Sequence, residues 1–394
     1  MPGPLDGFTV IDLTTVISGP FATMLLGDQG ANVIKVEQVS GGDHARGAGY
    51  GTNQFTASFV NNNRSKRGIC LDLKQLAGRD TLFKLVANAD VLIQNFRPGV
   101  VDRLGINEDA IRQHAPNIIY ASISGFGEDG PWSHKPVYDP IVQALSGLTT
   151  IQGGSDDARP RLVRTILPDK LTGLTMAQAV TAALAARERT GEGQHVRVSM
   201  LDAVIAFLWA SDMGGQTFVG KEVSTQRAAT FIDLIYETRD GFISVSAMKN
   251  EHWEALCRVV GHPEWLDDER FSTPAARDAH ANERLELTQS VLYERTAEEW
   301  LTLLDSAGVP SAPVLTRREM IDHPQVVASN LIIETEHPIA GPLRQTRPAA
   351  RFDKTPPEIR RGAPLHGEHT TEVLAEIGLS SADIEQLKDL GAIK

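Results

Sequence analysis

Along the first two hundred residues, short runs rich in β-branched side chains alternate with segments of helical apolar spacing. That alternation builds a parallel sheet covered by helices on both faces, so it predicts an α/β, Rossmann-like large domain. The predicted strands are FTVIDL (8–13), ANVIKVE (31–37), RGICLDL (67–73), DVLIQNF (90–96), NIIYASISG (117–125) and HVRVSML (195–201). Between them FATMLLGDQG closes on Gly30 as a helix C-cap does, while TLFKLVANA and DAIRQHA place apolar residues on one helical face. Residues 171–189 (LTGLTMAQAVTAALAARER) form the clearest helix, with basic residues in its last turn and Gly191 just beyond.

Past residue 222 the pattern changes. FIDLIYETRDGFISVSAM carries an RDG turn between two strand-like runs and reads as an antiparallel hairpin, followed by helical segments at 250–260, 281–294 and 297–307. The expected organisation is a large domain over 1–221, a smaller α+β domain over 222–325, and a linker with a returning C-terminal part over 326–394. Within that last part, residues 337–365 hold six prolines and read as a long irregular connection, and helices are expected at 370–377 and 381–389.

The 394 residues carry 38 Lys+Arg against 50 Asp+Glu, a net charge of −12. An acidic chain lacks the positive surface that nucleic acid or an anionic membrane requires, so neither is an expected partner. No apolar stretch approaches the roughly 20 residues of a membrane span, and no basic then apolar leader opens the chain, which reads as cytoplasmic. Cys70 and Cys257 are too few for a disulfide framework or a thiolate metal site and read as small buried hydrophobes.

Two apparent motifs dissolve in their context. Gly125, Gly127 and Gly130 spell GxGxxG after a predicted strand, but Pro131 and Pro136 follow where a dinucleotide site needs a helix N-terminus, so a glycine-lined loop is the better reading. His366, Glu368 and His369 lie in a Gly/Pro loop without further ligands at zinc spacing, and no metal is expected. GxSxG, GxxxxGK[ST] and HExxH are all absent from the sequence.

LPDKLTGL (167–174) is more informative, because Pro168 and Asp169 stand where coil enters the strongest helix. Asp169 is either a plain N-cap or a carboxylate held at a positive helix terminus and able to attack a carbonyl. Asn95, Phe96, Arg97 and Arg103 follow the end of a predicted parallel strand, the edge where such sheets bind ligands, although an ordinary strand-to-helix loop has the same pattern.

These passages, with PLDGFTVIDLTTVISGPFATMLLGDQGANVIKVE (4–37), NRSKRGICLDLK (63–74), ADVLIQNFRPGVVDRLG (89–105), IIYASISGFGEDGP (118–131) and GEGQHVRVSMLDA (191–203), give the chain its likeness. It resembles the class III CoA-transferases, the family of formyl-CoA transferase, carnitine CoA-transferase and the α-methylacyl-CoA racemases. The resemblance implies an interlocked homodimer, acyl-CoA and a carboxylic acid as substrates, and no tightly bound cofactor. It places Asp169 on the catalytic aspartate, with CoA along loops carrying Ser18, Leu71, Lys74, Asn95, Phe96, Arg97, Arg103, Tyr138 and Asp139. It implies attack by the aspartate on the donor thioester, giving an anhydride and then an aspartyl-CoA thioester, with backbone donors near Ser18 and Gly19 at the developing oxyanion. Where racemases carry a proton-transfer histidine this chain has Tyr138 and Asp139, which favours transfer over racemisation; a catalytically silent CoA-binding protein is the third reading. Where oxalate-using relatives carry a glutamine it has Ile17, and SVSAMKNEHW (244–253) has no glycine-rich lid, which argues against oxalate as a substrate. Arg161, Arg164 and Lys170 crowd around Asp169, either as solvated charge or a contact to a CoA phosphate, or as partners for the second carboxylate of a short dicarboxylate acceptor, with Arg164 first and Arg161 second and Ile17 beside it.

Overall fold

The computed structural model describes residues 2–47, 49–52, 55–227 and 234–394. They divide into two compact units, one of Met1–Thr149, Arg161–Gly214 and Asn330–Lys394, the other of Thr150–Pro160 and Gly215–Ser329.

The first unit is built on a six-stranded sheet in the spatial order Lys66–Cys70, Asn32–Glu37, Thr9–Asp12, Val91–Gln94, Ile119–Ser124, His195–Ser199. Every pairing is parallel. Counted along the chain this is the order 3-2-1-4-5-6, the doubly wound Rossmann arrangement, whose winding direction reverses between the first and fourth strands. Successive residues of Val91–Gln94 supply opposite faces: Leu92 joins one apolar layer with Ile11, Ile34 and Tyr120, while Val91 and Ile93 join the other with Val10, Val33 and Ile119.

The second layer is covered by the helix Leu167–Thr190, whose Met176, Val180 and Leu184 fall four residues apart and bury one stripe against the sheet. Gly191 ends it in a left-handed conformation, as the sequence predicts. Two strand ends differ from expectation. RGICLDL pairs only as Lys66–Cys70, and HVRVSML leaves the sheet after Ser199, whose hydroxyl accepts the Asp202 amide and caps a helix over Met200–Trp209. The proline-rich stretch is less irregular than expected, because Ile332–His337 and Gly341–Thr346 form an antiparallel hairpin. Pro342 is accommodated there in a two-stranded ribbon, which leaves an edge for a residue without an amide hydrogen. The closing helices are Thr370–Glu376 and Ser381–Asp389.

The second unit has a three-stranded antiparallel sheet, Ser311–Pro313, Phe242–Val245, Ile235–Glu237, of which the last two strands are the RDG hairpin. Residues 231–233, at the start of the FIDLIYE run, lie outside the described residues. The helices Asn250–Val259, Ala281–Leu292 and Ala297–Ser306 enclose a core around Trp253, Phe271 and Trp300. Cys70 and Cys257 are both buried, and burial pushes each thiol up to about 12. No described helix is long and apolar enough to cross a membrane.

Candidate active site

At the C-terminal ends of the first and fourth strands, the loops after Asp12 and Gln94 meet at the sheet's switch point, where doubly wound folds bind ligands. Asn95 joins them: its Oδ1 accepts the Thr15 amide at 3.0 Å and its Nδ2 donates to the Thr15 carbonyl at 2.8 Å. Next along the chain, Val16 is held at φ 73, a left-handed conformation that is strained for a β-branched residue. Its amide donates to Asp43 Oδ1 at 3.0 Å, and Asp43 is fixed in turn by a fully buried ion pair with Lys35 at 2.9 Å. Lys35 also donates to the Thr14 carbonyl at 2.8 Å.

Beneath the loop Asp12 pairs with Lys66 at 3.0 Å, both side chains wholly buried. Burial opposes ionisation of Asp12, but Lys66 and Lys35 outweigh it and hold the carboxyl at about 2. Burial draws Lys66 down to about 8 in spite of Asp12. Removing any one member of this charged floor strands its partner in the interior.

The strained turn delivers the chain into the helix Ser18–Asp28, with Ile17 as its half-buried N-cap. Gly173, on the long helix, allows the two helices to meet: a Cβ there would stand 2.7 Å from the Ser18 carbonyl oxygen and 2.9 Å from the Phe21 ring. The approach brings Ser18 beside Asp169, where its hydroxyl and backbone amide favour the charged carboxylate. Asp169 is not the N-cap. The long helix begins at Leu167 with Ile166 as an N-cap that makes no side-chain bond, and Asp169 lies inside the first turn. Its carboxylate therefore sits where two helix N-termini converge.

A second carboxylate completes the arrangement. Asp139, the buried first residue of the helix Asp139–Leu145, accepts the Asp169 amide at 3.4 Å and Gln143 Nε2 at 2.7 Å. Burial and the charge of Asp139 push the Asp169 carboxyl up to about 6, with the Ser18 hydrogen bonds opposing them. Burial likewise raises Asp139 above its ordinary value. Gln143 also holds the segment beyond, its Oε1 accepting the Val163 amide at 3.0 Å. That segment carries Arg164, which is exposed, as are Arg161 and Lys170, the last donating to Thr165 Oγ1 at 2.7 Å.

The remaining sequence candidates distribute around two cavities of the same unit. Leu71, Lys74 and Phe96 line one of about 530 Å³ together with Leu13, Thr15 and Val39. Arg97 lines a neighbouring cavity of about 490 Å³. Arg103 is exposed on the helix Val100–Leu104, whose end residues Val100 and Leu104 reach the first cavity. Tyr138 is 72% exposed beside the buried Asp139. The three loop residues near the C-terminus have local partners: His366 Nε2 meets the Gln38 carbonyl, His369 Nδ1 accepts the Gly68 amide, and Glu368 accepts the Leu365 amide. No cluster able to hold a metal occurs among the described residues.

Sequence reasoning missed Gln143 and the neighbour role of Asp139. The four residues that separate Asp139 from Gln143, with Pro140 at the helix start, were the available signal.

Residues 5–370 match the family model described as CoA-transferase family III. The chain belongs to this family. The succinyl-CoA:glutarate CoA-transferase of Mus musculus is 32% identical, over 99% of this chain and 90% of its own length. The acetyl-CoA:oxalate CoA-transferase of Acetobacter aceti is 37% identical, over 96% of this chain and 97% of its own. Among solved structures, a CAIB/BAIF family protein from Brucella suis aligns with a TM-score of 0.84 at 29% identity, covering 96% of this chain and 100% of the other. This class III CoA-transferase is an enzyme that moves CoA between an acyl-CoA and a carboxylate.

Proposed function

We propose that Asp169 is the nucleophile of this transfer and that the acceptor is a short dicarboxylate. The observation that carries the reading is the Asp169 carboxylate itself, held by Ser18 at two converging helix N-termini and tuned to about 6, so that it is ionised at neutral pH yet poorly solvated.

In the first step an Asp169 oxygen attacks the donor thioester carbonyl, the C–S bond breaks and CoA thiolate leaves a mixed anhydride. The thiolate then attacks the Asp169 carbonyl carbon and expels the donor acid, giving an aspartyl-CoA thioester. The acceptor carboxylate attacks that thioester, releasing the thiolate and forming a second anhydride. Attack of the thiolate on the acceptor's acyl carbon restores the Asp169 carboxylate. No water is consumed, so the anhydrides must be shielded from it.

CoA is assigned to the cavity of Leu71, Lys74 and Phe96, with Asn95, Arg97 and Arg103 at its edge and Tyr138 nearer the thioester. Lys74 and the two arginines offer charge to its phosphates, and Phe96 an aromatic face to its adenine. The dicarboxylate rests on two supports: Arg164 is exposed on the strap that Gln143 fastens beside Asp139, and the two relatives described above are transferases of glutarate and of oxalate, both dicarboxylates. A homodimer is supported by Ile141, Leu145, Leu174, Phe207 and Trp209, large apolar side chains of the first unit left exposed in the single chain.

Incubation with succinyl-CoA and a panel of acids, following new CoA esters and deuterium uptake at the α-carbon, tests the reading. New esters of dicarboxylates support it, whereas α-exchange without transfer overturns it. Sedimentation of a stable, active monomer at nanomolar concentration overturns the dimer.

A further inference from the structure

The cavity lined by Arg97 holds a line of polar side chains that the transfer chemistry leaves unused. Glu108 Oε2 lies 2.6 Å from His195 Nδ1, and His195 Nε2 lies 2.7 Å from Ser122 Oγ. The line then continues inward. Gln94 Nε2 donates to Ser122 Oγ at 3.0 Å, and Gln94 Oε1 accepts the Phe96 amide at 2.8 Å.

The order serine, histidine, carboxylate is that of a hydrolytic triad, but Ser122 is 5% exposed and Gln94 already occupies its oxygen. The two ends of the line dictate another role. A backbone amide only donates, so the Phe96 amide turns Gln94 Oε1 toward itself and leaves Nε2 to donate to Ser122. Ser122 is then free to direct its proton to His195 Nε2 when that nitrogen is unprotonated. At the other end the Glu108 carboxylate only accepts, which requires a proton on Nδ1. The neutral tautomer with its proton on Nδ1 satisfies both ends of the line.

We propose that His195 is a positioning residue for CoA, fixing the Phe96 turn through Ser122 and Gln94. The inference rests on the assignment of CoA to that turn. Charged neighbours balance around the ring: Glu108 carries a salt bridge from Arg112 at 2.8 Å, Glu128 Oε1 stands 4.0 Å from Nε2, and Arg197 pairs with Glu128 at 2.7 Å. Tyr120 meets the imidazole edge-on with centroids 4.9 Å apart. Burial keeps His195 below its ordinary value although Glu108 pulls the other way, so the neutral form prevails at neutral pH. Asn95, beside Phe96, clamps Thr15, which extends the relay to the loop that leads to Ser18.

His195→Phe keeps the ring packed on Tyr120 and removes both nitrogens, and Ser122→Ala cuts the line at its middle. Each should accelerate hydrogen exchange of the Phe96 amide and raise KM for the CoA thioester by about fivefold, with kcat within about twofold of wild type. The double variant should be no worse than either single one, as members of one chain are coupled. Glu108→Gln, at the half-exposed outer end, should give the same change in smaller measure and serves if the inner variants fold poorly. Unchanged Phe96 exchange, additive effects on KM, or labelling of Ser122 by a fluorophosphonate overturns the relay. If wild type fails to bind CoA, the CoA assignment falls, while Phe96 exchange still reports on the relay by itself.

Discussion

The amide of Asp169 points at Oδ2 of Asp139 from 3.4 Å, so a buried carboxylate thirty residues away caps the helix that carries the proposed nucleophile. One contact does two things. It satisfies an amide at a helix N-terminus, and it sets a negative charge beside a second carboxyl that must itself ionise.

Activity should therefore fall on acidification through an apparent pKa of about 6, as protonation removes the nucleophile. Asp139→Asn keeps a side-chain oxygen for the amide but deletes the charge. The acid limb of the rate profile should then move to lower pH, by roughly one unit. A limb that stays in place or moves upward refutes the coupling.

Asp169→Ala and Asp169→Asn should abolish transfer while CoA still binds, and mass spectrometry of wild type mixed with acyl-CoA should find an adduct on Asp169. Stability should move in the other direction. The folded-state value of about 6 lies above the ordinary 3.8, so ionisation disfavours the fold as pH rises through that interval and the penalty is complete above it. Asp169→Asn should accordingly stabilise the protein by about 1–2 kcal/mol at pH 7.5 and by nothing near pH 3, as followed by thermal melts.

Gly173→Ala puts a methyl group where the Ser18 carbonyl and the Phe21 ring stand. The helices must separate, costing about 1–3 kcal/mol, and kcat should fall more than stability alone explains because Ser18 leaves Asp169. Unaltered kcat in a folded Gly173→Ala protein excludes Ser18 from the chemistry.

Replacing Arg164 by Leu should raise KM for dicarboxylates about tenfold to a hundredfold and spare monocarboxylates, since only the former need a partner for a second desolvated charge. Equal weakening of both acid classes assigns the arginine to CoA or to the fold.

The parallel sheet was legible because fully buried strands read as continuous β-branched runs, and Val91–Gln94 and Ile119–Ser124 sit inside the predicted segments. The long helix was equally plain, but an N-cap at Asp169 lies three positions too far along, because Leu167 and Pro168 look like coil and in fact open the helix. Ser18, Asp139 and Gln143 reach Asp169 or its surroundings from distant parts of the chain, and no local periodicity carries that information. The hairpin of Ile332–His337 and Gly341–Thr346 was masked by Pro342, since a proline argues against a strand only where the strand is central.

The bridge between Thr15 and Asn95 spans eighty positions of sequence, and its two loops adjoin only after the first and fourth strands have paired. During synthesis the emerging chain therefore has no reactive centre until the fourth strand has left the ribosome and docked, and Asp169 follows later still. A chain stalled or clipped before that long-range docking carries the loop that leads to Ser18 without its clamp. Chemical competence thus becomes a late readout of global topology, and a premature fragment is spared the liability of an activated carboxylate.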